Sequence, residues 1–212
     1  MGGLLLKVAA VIPAYNEEKT VAQVVDAAKR CHLISEVIVV DDGSADGTAQ
    51  AARRAGARVV CLAANVGKGG AMKAGAEATD AEIVVFLDAD LVGLTPDHVR
   101  QLVEPVLQGE ADITLGIFDE GRFATDMAQK ITPFLTGQRA LWRSILLTIP
   151  HLERTRYGVE VAISRYAEEK MLRVTRVHLK HVAHLTKEEK VGLWRGFRAR
   201  LRMYWEIIRL SR

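Results

Sequence analysis

Asp88-Ala89-Asp90 places two carboxylates one residue apart, directly after the apolar run Ile83–Leu87. Carboxylates leaving a buried strand can grip a divalent cation and a neighbouring hydroxyl. Magnesium and manganese favour such hard oxygen ligands and keep positions open for diphosphate. A cation held there would offset charge on a departing nucleotide diphosphate. Taken alone, a D-x-D is more often a solvated loop with helix-capping acids. Asp41-Asp42-Gly43-Ser44 ends a second β-rich run. An acid there can accept hydrogen bonds from a base or a ribose, or form an Asx turn into a helix capped near Asp46 or Thr48. Gly43 permits the tight turn. Asn65-Val66-Gly67-Lys68-Gly69-Gly70 sets a cation and pliant backbone before a helical pattern, where they can face an anion. It is not a Walker loop, because Gly69 stands where Ser or Thr follows the Lys. It is not a dinucleotide fingerprint either, because position 72 is Met.

These residues need elements to position them. Val8–Ile12, Val37–Val40, Arg58–Leu62 and Ile83–Leu87 are short β-branched runs bounded by Gly, Asp, Asn or Pro, the pattern of buried parallel strands. Between them, Thr20–Lys29, Thr48–Ala55 and Gly70–Ala78 carry helix formers with apolar residues at helical spacing. Thr95-Pro96-Asp97 reads as an N-cap with Pro at the first helical position, opening a helix to about Leu107. Ile113–Phe118 is a fifth expected strand. This alternation predicts an α/β fold with an open, mainly parallel sheet flanked by helices. Ligands of such sheets bind beyond the carboxyl ends of the strands, and that is where Asn16-Glu17, Asp41-Asp42, Asn65–Gly70 and Asp88/Asp90 fall. In the second half, Ile131–Thr148 is expected to be helical with a break near Gly137. Gly158–Lys170 is expected to be a helix, Val174–Leu179 a strand, and Arg195–Leu210 an amphipathic helix.

The 212 residues, 49% hydrophobic with net charge +3, suit one domain with a substantial core and neither a fibrous repeat nor disorder. Cys31 and Cys61 adjoin apolar runs and read as buried free thiols, which suits a reducing cytoplasm. Lys7 interrupts the apolar start, so a buried first strand is expected rather than a signal peptide. No run approaches the roughly 18 apolar residues of a membrane span. Basic residues concentrate at the end: Lys190, Arg195, Arg198, Arg200, Arg202, Arg209 and Arg212, with Glu206 the single acid among them. There Trp194, Phe197, Leu201, Tyr204, Trp205 and Ile208 form one apolar stripe on a helix. Three readings of it stand: a helix docked on the domain, a homodimer interface, or a basic helix lying on a membrane surface. Nucleic acid is not an expected partner.

The four motifs VIPAYNEE (Val11–Glu18), VVDDGSADGT (Val39–Thr48), NVGKGGAM (Asn65–Met72) and FLDADL (Phe86–Leu91) occur in one order. Through them the chain resembles family-2-type glycosyltransferases with the GT-A fold. The resemblance implies that Pro13, Tyr15 and Glu17 line a nucleotide pocket and that Asp42 recognises the uracil. It implies that Lys68 sits near base or phosphate, that Asp88 is near ribose or metal, and that Asp90 binds the metal.

GRFATD (Gly121–Asp126), PFLTGQRALWR (Pro133–Arg143), RYGVEVAIS (Arg156–Ser164) and HVAHLTKEEKVG (His181–Gly192) are similar to glucosyl-3-phosphoglycerate synthases and their short bacterial relatives. In that group a late His completes the metal site. His184 is the first choice because it precedes KEEKVG, with His178 and His181 as competitors. Arg122 and Arg139 are candidate anion contacts, since a guanidinium grips phosphate or carboxylate as a fork. Gly137 is placed with them on the substrate side, and Glu160 faces the acceptor or the sugar, or else is a helix-surface acid. The chain is shorter than the synthases, and GQRAL replaces their usual loop.

The expectation is one domain, with residues 1–118 binding the nucleotide sugar, 119–190 serving acceptor and metal, and 191–212 a C-terminal helix. The expected reaction moves a hexose, glucose first, from UDP-glucose to a small phosphorylated or polyprenyl-phosphate acceptor, with Mg2+ or Mn2+ as cofactor. The resemblance to the synthases implies retention at the anomeric carbon, although many family-2 members invert. A sugar nucleotidyltransferase would carry a Gly-rich loop where PAYNEE stands. A non-catalytic anion-binding module would leave the four strand-end clusters without a purpose.

Overall fold

The computed structural model describes residues 6–118, 137–155 and 158–184. Strands β1 (Val8–Ala14), β2 (Glu36–Asp41), β3 (Arg58–Cys61) and β4 (Ile83–Phe86) alternate with helices α1 (Val21–Lys29), α2 (Thr48–Arg54) and α3 (Lys68–Glu77). There follow β5 (Leu91–Val92), α4 (Pro96–Leu107), β6 (Ile113–Phe118), β7 (Arg139–Trp142) and α5 (Arg143–Thr148). A 3-10 turn (Leu152–Arg154), α6 (Val159–Glu169), β8 (Val174–Leu179) and β9 (Ala183–His184) complete the order.

The seven-stranded sheet runs β3-β2-β1-β4-β7-β6-β8. β1 pairs in parallel with β2 and β4, and β6 with β8. β7 opposes both its neighbours, β4 and β6. The mainly parallel sheet expected from the alternation is therefore present, with a single reversed strand inside it. Strands this deep are buried on both faces, which is why IVVF and VAAVI read as continuous apolar runs rather than alternating ones. On one face Ile12, Val39 and Val85 pack against Val24 and Val25 of α1 and Leu102 and Val103 of α4. On the other, Val11, Phe86 and Leu141 meet Met72 of α3, Leu146 of α5 and Ile163 of α6. An added Cβ at Gly75 would stand 2.3 Å from Val11 Cγ1, so α3 lies close on the sheet because it has a glycine there.

The start of α4 is as the sequence predicts. The Thr95 hydroxyl accepts from the His98 N–H, and His98 Nδ1 accepts from the Thr95 N–H, a reciprocal cap with Pro96 at the first helical position.

Two expectations are corrected. Ile131–Thr148 is not one interrupted helix: Arg139–Trp142 is a strand, and the helix begins only at Arg143. A short buried apolar run has no periodicity that separates strand from helix. Here the flanking β4 and β6 decide, by offering open edges on both sides. Residues 131–136 of that stretch lie outside the described residues. Cys61 is exposed rather than buried, because β3 is the edge of the sheet, and its Sγ lies 3.2 Å from Arg53 Nη2. Cys31 is buried, and both thiols are free. The expected helix over Arg195–Leu210 also lies outside the described residues.

Candidate active site

The chain leaves β1 outward to β2 and β3, then returns to β4 on β1's other side. That reversal opens a crevice at the carboxyl edge, where ligands of such sheets bind. The loops after β1 and β2 are tied together there. Asn16 sits at φ 57°, a left-handed conformation that Asn tolerates. Its N–H donates to Ser44 Oγ and its Oδ1 accepts from the Ala45 N–H, both at 2.9 Å. The Glu17 N–H donates to Thr48 Oγ1 at 2.8 Å. Pro13 and Glu17 are half-buried and Tyr15 is 48% exposed, so an aromatic face stands open at the crevice.

Asp42 is buried, and its two oxygens accept from the N–H groups of Val66 (2.7 Å) and Gly67 (2.9 Å). The backbone before α3 does face an anion, as expected of NVGKGG, but that anion is the protein's own Asp42. This contact fixes the loop that delivers Lys68. Asp41 Oδ1 accepts from the Ser44 N–H three residues on. The Asx turn is at Asp46, whose Oδ1 accepts from the Thr48 N–H at 3.0 Å as the chain enters helix α2 through Gly47.

Lys68 Nζ lies 2.7 Å from both Asp88 Oδ1 and Glu160 Oε1. Glu160 is therefore not a surface acid. It is 7% exposed in the first turn of α6, aimed at the same centre as the strand-end carboxylates. Burial would lower the Lys68 pKa, but Asp88 and Glu160 outweigh it and raise it far above the ordinary value. Burial would likewise raise Asp88. The charges of Lys68 and His184 reverse this and hold the carboxyl below its usual value.

His184 is brought in by the short ladder β5–β9, in which it pairs with Leu91, two residues past Ala89. Its Nδ1 lies 3.0 Å from Asp90 Oδ1, and its Nε2 lies 4.0 Å from Asp88 Oδ2. The Phe118 ring meets the imidazole edge-on, with centroids 5.0 Å apart. Burial disfavours the imidazolium, yet the bond to Asp90 and the charges of Asp88 and Asp90 raise the His184 pKa overall. Asp88, Asp90 and His184 each offer a ligand atom, all within 4.8 Å of one another. Among the described residues no other group of three such side chains could hold a metal. His178, paired with Ile117 on the β6–β8 ladder, and His181, in the preceding turn at φ 61°, are not part of it.

Three consecutive residues entering β7 serve this cluster. At Gly137 an added Cβ would stand 2.3 Å from Asp88 Oδ2 and 2.4 Å from Lys68 Nζ, so the ion pair needs a residue without a side chain there. Gln138 Nε2 donates to Asp88 Oδ2 at 2.8 Å. Arg139 is wholly buried. Burial lowers its pKa, opposed by the charges of Glu160 and Asp88. It also lines a cavity of about 450 Å³ between α6 and the β6–β8 edge, with Leu115, Ile163 and Arg176. Sequence reasoning named Gly137 and Arg139 and missed Gln138. The signal available was its place between them. Arg122 lies outside the described residues.

A model of the family described as glycosyl transferase family 2 matches residues 9–172. The chain is similar to the glucosyl-3-phosphoglycerate synthase of Mycobacterium tuberculosis, 32% identical over 193 residues, covering 74% of this chain and 59% of that protein. It thus spans less than two thirds of that relative's length. It is also similar to the dolichyl-phosphate beta-glucosyltransferase of Mus musculus, 38% identical over 119 residues, covering 49% and 35% of the two chains. The crystal structure of the M. tuberculosis synthase with Mn2+, uridine diphosphate and glucosyl-3-phosphoglycerate superposes with a TM-score of 0.74. It is 30% identical, and the match covers 88% of this chain and 75% of that one.

Proposed function

This chain belongs to glycosyl transferase family 2, and from that membership we propose that it transfers a hexose, glucose first, from a UDP-sugar to a phosphorylated acceptor with Mg2+ or Mn2+ bound. The observation that carries this is the convergence of Asp88, Asp90 and His184 at one end of the sheet, joined through Lys68 to Glu160. Carboxylate oxygens beside a neutral imidazole suit either cation. When bound, the cation supplies charge that stabilises the departing diphosphate.

The chain's own residues do the rest. Asp90 and His184 would hold the cation, with Asp88 beside them as a further ligand or a ribose contact. Tyr15, Pro13 and Glu17 border the base, and Asp42, which braces the loop before α3, is assigned to the uracil. Glu160 faces the sugar or the acceptor, Gly137 and Arg139 adjoin the same centre, and Arg122 is proposed as an anion contact of the substrate. Positioning and electrostatic stabilisation carry this chemistry. The synthase relative's structure with Mn2+, uridine diphosphate and glucosyl-3-phosphoglycerate supports the donor and a small phosphorylated acceptor. The dolichyl-phosphate relative supports a polyprenyl phosphate.

Release of UDP from UDP-glucose tests the reading, with phosphoglycerate or a polyprenyl phosphate as acceptor, in Mn2+ and in chelator. Metal-dependent release that rises with one acceptor is expected. Equal release in chelator contradicts it.

No described helix is long and apolar enough to cross a membrane. A cytoplasmic place suits the free thiols. The aromatic, basic segment 194–212 is read as a face docked on the domain or on a second copy. Removing residues 195–212 should then destabilise the protein or halve its mass in solution. A truncated protein of unchanged stability and mass that no longer pellets with anionic vesicles would assign the segment to membrane contact instead.

A further inference from the structure

Asp88 is held from two sides. Lys68 Nζ meets Oδ1 from α3, and the Gln138 side-chain amide donates to Oδ2 from the approach to β7. Gln138 is wholly buried. Its root is fixed, because its carbonyl accepts from the Gly116 N–H at 2.8 Å. Its Cβ lies so close to Gly116 that a Cβ there would be 3.1 Å away.

One donor on each oxygen sets the plane of a carboxylate. With Lys68 alone, Asp88 can turn about its terminal bond and carry Oδ2 away from His184 Nε2, now 4.0 Å off. The chemistry of the second donor matters too. A neutral amide orients Asp88 without cancelling any of the negative charge that draws a divalent cation, whereas a second Lys or Arg there would cancel it.

We infer that Gln138 is a positioning residue of the metal–diphosphate site: it touches neither cation nor nucleotide, and it holds Asp88 in the orientation that completes the cluster with Asp90 and His184. This rests on the proposed metal-dependent use of a UDP-sugar.

The test is a Mn2+ titration of the full chain at saturating UDP, with free Mn2+ read from its paramagnetic resonance signal. Gln138→Met keeps the length and removes the donor. Gln138→Asn keeps the amide and draws it back from Asp88. Both are expected to raise the Mn2+ concentration for half occupancy about tenfold or more, the scale of lost ligand-orienting contacts, while melting cooperatively near the parent. A parent-like Mn2+ curve in either folded variant overturns the inference. So does failure of both to melt cooperatively, since Gln138 would then serve the core. A parent protein that binds no Mn2+ in the presence of UDP overturns the proposed function instead, which separates the two failures.

Discussion

Lys68 bridges two carboxylates, half-buried Asp88 and buried Glu160. Its side chain is 25% exposed, and those of Asp88 and Glu160 are 16% and 9% exposed. Taking one partner from such a group leaves less compensated charge in low dielectric, at a cost of up to about 3–5 kcal/mol, here moderated by Arg139, His184 and the Gln138 amide. Lys68→Met should therefore lose stability on that scale in urea unfolding, and a loss under 1 kcal/mol would mean that water already solvates the acids. His184 gives a pH signature. Its folded pKa lies above the ordinary 6.5, so the metal-free native state binds its proton more tightly than the unfolded chain does. That stabilisation is complete below pH 6.5 and is lost as pH rises through the folded value. In metal-free protein, the melting-temperature gap between parent and His184→Gln should accordingly be wider at pH 6 than at pH 9. A gap that grows with pH would show the shift to be downward.

At the scale of elements, α3 presents Lys68 because it lies low on the sheet. Gly75→Ala would set a methyl 2.3 Å from Val11 Cγ1 and 3.0 Å from Val40 Cγ2. Overpacking of this kind costs about 1–3 kcal/mol, with some loss of activity as the Lys68 end tilts. Thermal melts check the first and UDP release the second, and a variant with the parent's melting temperature would refute the close approach. The elements around α3 were legible in the amino-acid sequence because each carries a local signal: β-branched runs for β1, β2 and β4, Thr95-Pro96 for α4, glycines beside Lys68. β7 was not legible. Four residues of Arg-Ala-Leu-Trp become a strand because β4 and β6 leave a slot between them, and that slot is a long-range fact. The same holds for Gln138, whose partner Asp88 lies fifty positions earlier. Asp42 could be seen as a strand-end acid, yet its engagement with Val66 and Gly67 depends on how the next loop returns.

At the scale of the whole molecule, the reversal of β7 gives the site its second wall. A strand running with its neighbours would begin at the amino edge. Running against them, β7 begins at the carboxyl edge, so Gly137, Gln138 and Arg139 arrive beside Asp88. The parallel half supplies the crevice after β1, β2 and β4, and the second half supplies Glu160 from α6 and His184 from β9. Neither half alone contains Asp88, Asp90 and His184 together. This junction is proposed to bind a nucleoside diphosphate through a divalent cation. Calorimetric titration of UDP into the parent and into Asp90→Ala, in Mn2+ and in chelator, tests it most directly. Chelator is expected to weaken binding to the parent at least tenfold, one lost charge-assisted contact being worth about 1.5–3 kcal/mol. Asp90→Ala is expected to bind equally weakly in both conditions. UDP affinity that is the same with and without Mn2+ in the parent, or a Mn2+ response that survives in Asp90→Ala, would contradict it.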